Sequence, residues 1–124
     1  MKEFSYFMPS RIVLGKGSTE RIAEYVQGER ILIICDPFME KCGAAQKIAA
    51  QMPGCSTELF SGIEPNPSCE SVDAATAAAR KLGATTVVGF GGGSALDVSK
   101  IVACLTTQEG RIYDYYAGGT RKLG

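Results

Sequence analysis

Histidine is missing from all 124 residues. That absence removes the commonest general base, the hydrolase triads built on it, and every metal site that needs an imidazole. Charge of one sign is missing too, since 13 Lys and Arg face 13 Asp and Glu. No polycationic surface is implied and no nucleic-acid partner is expected. No apolar run approaches the length of a membrane span, and the start Met1-Lys2-Glu3-Phe4-Ser5 has no apolar stretch of the signal-peptide kind. A membrane partner is therefore not expected. The cysteines, Cys35, Cys42, Cys55, Cys69 and Cys104, are odd in number and have no C-x-x-C spacing. They read as buried free thiols in a reducing cytoplasm.

What is present suits one compact domain. At 13.1 kDa, the surface scaling gives about 6,400 Å² folded against about 19,000 Å² unfolded, so roughly two thirds of the surface can be buried. From Arg30 to Thr107 short apolar runs alternate with longer helical segments, the pattern of a parallel α/β unit with helices on both faces of an open sheet. The runs Ile31 to Cys35 and Thr85 to Phe90 are continuously apolar, as central strands covered on both faces must be. Thr57 to Phe60 alternates and reads as a strand nearer an edge. Helices are expected over Ser71 to Leu82, with Val72, Ala75, Ala79 and Leu82 on one face, and through the stripe Val98, Ile101, Val102 and Leu105. A third is expected over Gly43 to Met52, and a fourth over Ser18 to Val26, capped by Ser18 and preceded by an edge strand Arg11 to Leu14. After Gly110 the pattern fades, and no role is assigned to Tyr113, Tyr115 or Tyr116.

The sharpest local feature is Gly89-Phe90-Gly91-Gly92-Gly93-Ser94-Ala95-Leu96-Asp97-Val98-Ser99-Lys100, a strand running through three glycines into a helix. Glycines allow close approach to the main chain, and the first amides of a helix carry about half a positive charge, so a phosphate there needs no basic side chain. The structural alternative is that Ser94 caps the helix and Asp97 completes a capping pair. A P-loop is excluded, because Gly15-Lys16-Gly17-Ser18 has Ser10 where its upstream glycine belongs. The dinucleotide fingerprint is excluded as well, since here the acid precedes the glycines. That acid, Asp36, ends the Ile31 to Cys35 strand, where ligands of open parallel sheets bind. A carboxylate there can accept both hydroxyls of an adenosine ribose and repel a 2′-phosphate. As N-cap before Pro37 it would also serve an ordinary helix start. Glu64-Pro65-Asn66-Pro67-Ser68 is a rigid turn in which Asn66 could offer its amide to a ligand. Asp97 and Lys100 share a helix face, either as a surface ion pair or as polar neighbours of bound phosphates.

In their order, Asp36-Pro37-Phe38, then Pro65-Asn66-Pro67-Ser68, then Gly91-Gly92-Gly93-Ser94 through Asp97 to Lys100, these motifs resemble the amino-terminal half of the iron-containing (group III) alcohol dehydrogenases, whose pattern is GGGS-x-x-D-x-x-K. The resemblance extends over essentially the whole chain, including Pro9-Ser10-Arg11-Ile12-Val13-Leu14-Gly15-Lys16-Gly17. It implies a Rossmann-like α/β fold and an oxidoreductase that interconverts an alcohol and an aldehyde or ketone by hydride transfer. It also implies NAD as cofactor, with NADP disfavoured. By the same resemblance Asp36, Pro37 and Phe38 should meet the adenosine side, Gly92, Gly93 and Ser94 the pyrophosphate, and Asn66, Asp97 and Lys100 the remaining cofactor surroundings. The family binds iron or zinc through one Asp and three His in a helical carboxyl-terminal domain, and completes its nicotinamide pocket with a P-x-x-T-T-x-G-T-G-S-E segment. This chain holds neither. Residues 1–124 are thus expected to be the dinucleotide-binding domain, cut off before the metal-binding domain, with no catalytic residue of their own. The resemblance further implies pairing of two copies through the amino-terminal strand.

Three alternatives stay open at this point. In a dehydroquinate synthase a glycine would stand in place of Lys100, and in a glycerol dehydrogenase a lysine would usually stand in place of Ser94. A receiver-like module would use Asp36 as a phosphorylation site, but no acidic pair precedes Ile31 to Cys35.

Overall fold

In the computed structural model the described residues are 10–106, together with Glu3 and Ser5. The architecture follows from one strand, β1 (Arg30–Cys35), whose residues Ile31 to Cys35 are all fully buried. It lies between β2 (Ser56–Phe60) and β3 (Thr86–Phe90) in a parallel sheet of order β2-β1-β3. Alternation along β1 sends Leu32 and Ile34 to one face and Ile31 and Ile33 to the other, so a continuous apolar run is what a sheet covered on both sides requires. Burial of each such side chain contributes on the order of 1.5–3 kcal/mol.

Helices α1 (Pro37–Lys41) and α2 (Ala44–Ala50) follow β1, α3 (Cys69–Leu82) follows β2, and α4 (Gly93–Leu105) follows β3. Val72, Ala75 and Ala79 of α3 and Val98, Val102 and Leu105 of α4 form one core with Leu32 and Ile34. Ile48 and Met52 pack with Ile31 and Ile33 on the opposite face, with Ile22 and Val26 against them. Arg80 of α3 donates from Nη2 to the Leu105 carbonyl at 2.8 Å, supplying a partner at the end of α4 where the helix leaves its carbonyls open. Gly89 brings α4 onto β3: a Cβ there would stand 2.8 Å from that of Ser99, too close for any larger residue.

Three expectations are corrected. Arg11 to Leu14 is not a strand: among the described residues it pairs with nothing, and Ile12 and Leu14 are exposed. The Ser18 segment is a 3₁₀ helix, Ser18–Glu24, bent at Arg21; its cap is Gly17, and the Ser18 hydroxyl caps nothing. Of the five cysteines, none in a disulfide, only Cys35 is buried, while Cys42, just after α1, and Cys104, on α4, are exposed. Their apolar surroundings in sequence did not specify which helix face they take. Tyr113, Tyr115 and Tyr116, and all of the chain after Thr106, lie outside the described residues.

Candidate functional site

Parallel strands place their carboxyl ends together, and here Cys35, Phe90 and Phe60 end at one edge of the sheet. The loops that leave them carry the three sequence motifs. Between them lies a cleft of about 340 Å³ lined by Asp36, Pro37 and Phe38 after β1, Ile63, Glu64 and Pro65 after β2, and Ser94 at the start of α4. That volume is in the range of small-molecule sites. A larger cavity of about 600 Å³ sits between the amino-terminal segment and the 3₁₀ helix, lined by Arg11, Tyr25 and Gln27 among others. It touches no strand end and none of the motifs, so size does not identify the site here.

Asp36 is the pivot. It occupies the N-cap position of α1, yet its side chain makes no capping bond. Instead Oδ2 accepts the amide hydrogen of Gly92 at 2.7 Å, tying the end of β1 to the turn after β3. Asp36 is thus the N-cap by position, with Pro37 following it, while its side chain serves the Gly92 amide. The bond is possible because of Gly91, whose φ of +134° is a conformation that side chains resist. A Cβ at Gly91 would press on the Asp36 carboxylate, 2.8 Å from its Cγ. Gly91 stands outside the residues expected to meet the cofactor, although it holds the expected ones in place. The signal was its position, immediately after the strand.

Helix α4 begins at Gly93, with Gly92 as its extended N-cap, and not at Ser94. Neither half of the expected Ser94 and Asp97 capping pair forms; Asp97 instead lies 3.9 Å from Lys100, both highly exposed. The Gly92 amide is taken by Asp36. Among the described residues no acceptor meets the amides of Gly93 and Ser94, the one exposed and the other half-buried. Ala95 is fully buried, so its amide faces no solvent. Two donors therefore stand at the positive end of a 13-residue helix, and the second of them, Ser94, lines the cleft. At Gly93 a Cβ would meet nothing within 4 Å, which leaves that approach open.

The remaining wall comes from the β2–α3 loop. Ser68 caps α3, its Oγ accepting the Ser71 amide at 3.1 Å. Both hydroxyls then donate to Glu64 Oε1, Ser71 at 2.5 Å and Ser68 at 3.1 Å, and these bonds, Ser71 first, hold the Glu64 carboxyl below its ordinary range. Glu64 and Ile63 were not anticipated as part of the site. Asn66 is exposed and is not among the residues lining the cleft. Behind the cleft, burial raises the Cys35 thiol above its usual value, with smaller contributions from Glu40 and Asp36. It is therefore held as a neutral thiol. No described helix is long and apolar enough to cross a membrane.

Comparison with known proteins agrees with this geometry. The family model for iron-containing alcohol dehydrogenases matches residues 9–123. A sulfoacetaldehyde reductase of Bilophila wadsworthia is 32% identical over 118 residues, and a long-chain-alcohol dehydrogenase of Geobacillus thermodenitrificans is 33% identical over 116 residues. These matches take in 91% and 89% of this chain but 30% and 29% of the relatives, so the chain spans about a third of their length. Among solved structures, the NADH-dependent butanol dehydrogenase A of Thermotoga maritima superposes with a TM-score of 0.89 at 29% identity, covering 99% of this chain and 32% of that one. The sulfoacetaldehyde reductase of Bifidobacterium kashiwanohense, in complex with NAD+, superposes with a TM-score of 0.84 at 32% identity over 96% of this chain and 32% of that one. These findings set aside the receiver-like alternative.

Proposed function

The chain belongs to the iron-containing alcohol dehydrogenase family, and from that premise we propose that residues 1–124 are the NAD-binding domain of an enzyme that interconverts an alcohol with an aldehyde or ketone. The observation that carries this reading is the meeting of Asp36, the Glu64 loop and Ser94 around one cleft at the carboxyl end of the sheet, with the open amides of Gly93 and Ser94 at the start of α4. Bound NAD supplies the hydride acceptor. The residues of this chain bind and orient it. Asp36, with Oδ2 fixed by the Gly92 amide, turns Oδ1 to the ribose hydroxyls, for which a carboxylate is an acceptor and a 2′-phosphate a repelled charge. Gly93 and Ser94 donate to the pyrophosphate, and Gly92 keeps the turn open by giving its own amide to Asp36. Pro37 and Phe38, the latter 68% exposed, offer the adenine an apolar wall. In the same reading Asn66, Asp97 and Lys100, none of which lines the cleft, meet the outer parts of the cofactor.

The iron or zinc of the family does not fit these residues. Histidine is absent from the sequence, and among the described residues no three acidic or thiol side chains converge. No step is therefore assigned to a metal held here. The substrate in this reading is a small alcohol or aldehyde. Two copies pair through the amino-terminal segment, which is supported by exposed Ile12 (63%) and Leu14 (90%). A cytoplasmic location is supported by cysteines that form no disulfide among the described residues.

Calorimetric titration of the chain with NAD and NADP tests the reading. One-to-one binding of NAD, weaker binding of NADP, and a smaller difference between them in Asp36→Ala are expected. Absence of NAD binding, or an unchanged ratio in Asp36→Ala, would contradict it.

A further inference from the structure

Two carboxylates, Asp36 and Glu64, line the cleft, and none of its lining residues is Lys or Arg. Each is fastened by one oxygen. Asp36 gives Oδ2 to the Gly92 amide, while Glu64 gives Oε1 to the hydroxyls of Ser71 and Ser68. Among the described residues no donor meets Asp36 Oδ1 or Glu64 Oε2. Glu64 is exposed, but its Oε1 is held by two hydroxyls. Its loop is stiffened by Pro65 and Pro67, and its clamp, Ser71, is 8% exposed at the start of α3. A charge held at fixed distance acts on a ligand more selectively than one on a mobile side chain, because no rotamer carries it away.

We propose that Glu64 is a second specificity-determining residue of the cofactor cleft, a fixed carboxylate that acts with Asp36 to exclude dinucleotides carrying a 2′-phosphate. The inference rests on the cleft being the site of the cofactor's ADP-ribose half. A 2′-phosphate entering there brings close to two negative charges between two carboxylates with no cation to neutralise them. A bare ribose instead brings hydroxyls, which the free carboxylate oxygens can accept. Discrimination therefore depends on two loops, after β1 and after β2, and not on the β1 carboxylate alone.

The probes are ADP-ribose and 2′-phospho-ADP-ribose, titrated calorimetrically into the 124-residue chain. Glu64→Gln, which keeps the shape and removes the charge, should raise affinity for the phosphorylated probe relative to ADP-ribose about three- to tenfold. Ser71→Ala should move the ratio the same way by less, since it frees the carboxylate without removing it. In the wild type, raising salt from about 0.05 M to about 0.5 M should shrink the preference for ADP-ribose. An unchanged ratio in Glu64→Gln, or a wild-type preference indifferent to salt, overturns the role of Glu64 while ADP-ribose binding leaves the cofactor reading standing. Failure of the wild type to bind ADP-ribose at all would remove both.

Discussion

The two ends of the sheet are finished in opposite ways. At the amino end the groups around Thr85 and Arg30 are tied to one another. Thr85 Oγ1 accepts the amides of Glu29 and Arg30, each at 3.2 Å, and donates to the Arg30 carbonyl at 3.0 Å. The Arg30 carbonyl also accepts the Thr85 amide at 2.8 Å, the Ser56 amide reaches Glu29, and Arg30 Nε closes onto the Gly83 carbonyl at 2.8 Å. At the carboxyl end the amides of Gly93 and Ser94 and one oxygen each of Asp36 and Glu64 are left without protein partners among the described residues. Unsatisfied groups cost stability unless water or a ligand completes them. The amino end is thus closed by protein, and the carboxyl end leaves hydrogen-bonding groups to solvent or, in the proposed reading, to the cofactor.

Substitutions at the two ends should separate these roles. The largest effect is expected at Gly28, which has φ +107° and whose Cβ would collide with the Thr85 side chain. Gly28→Val should cost about 2–4 kcal/mol, seen as a fall in melting temperature of roughly 10 °C for a chain of this size. A melting temperature within a degree or two of the wild type would show the amino end to be less tightly closed than its bonds indicate. Next is Gly91→Ala, which pushes the Asp36 carboxylate off the Gly92 amide. It should cost about 1–3 kcal/mol of stability and at least tenfold in ADP-ribose affinity, read by melting and calorimetry together. Gly93→Val provides the contrast: with open space around its Cβ, it should hardly change the melting temperature yet still weaken ADP-ribose binding. Binding that survives both changes would mean the glycine turn is only a turn.

The smallest effect concerns acid. Glu64 is held below the ordinary carboxylate value when folded, so its contribution to stability is present above that value and is lost as pH falls through the lowered one. Thermal melts from pH 6 down to pH 3 should show a small wild-type advantage over Glu64→Gln that fades at the acid end. An advantage that grows toward low pH would reverse the assigned direction.

Much of this was legible from single residues, and the remainder shows why it was not. The run Ile31 to Cys35 could only be a strand covered on both sides, and the spacing of Val72, Ala75 and Ala79 could only be a face, because periodicity is a property of the chain itself. The cap of α4 lies two residues before the one that side-chain chemistry suggests, since Ser94 is a good cap by composition while Gly92 takes that place with its amide held by Asp36, 56 positions away. Arg11 to Leu14 has strand composition, but a strand needs a neighbour, and composition does not name one. The three motifs were recognised singly and in order. Their convergence with Glu64 depends on Ser71 reaching back from α3 over a separation of seven residues, a fact of tertiary placement that no local pattern encodes.

The most direct test of the account is an amide nitrogen–proton correlation spectrum of the chain during titration with ADP-ribose. With the pyrophosphate held at the start of α4, the resonances of Gly93 and Ser94 move most, with those of Gly91 and Gly92 beside them, while Glu29 and Arg30 at the amino end stay where they are. Saturable binding that leaves Gly93 and Ser94 unmoved, or that moves the amino end instead, would contradict it.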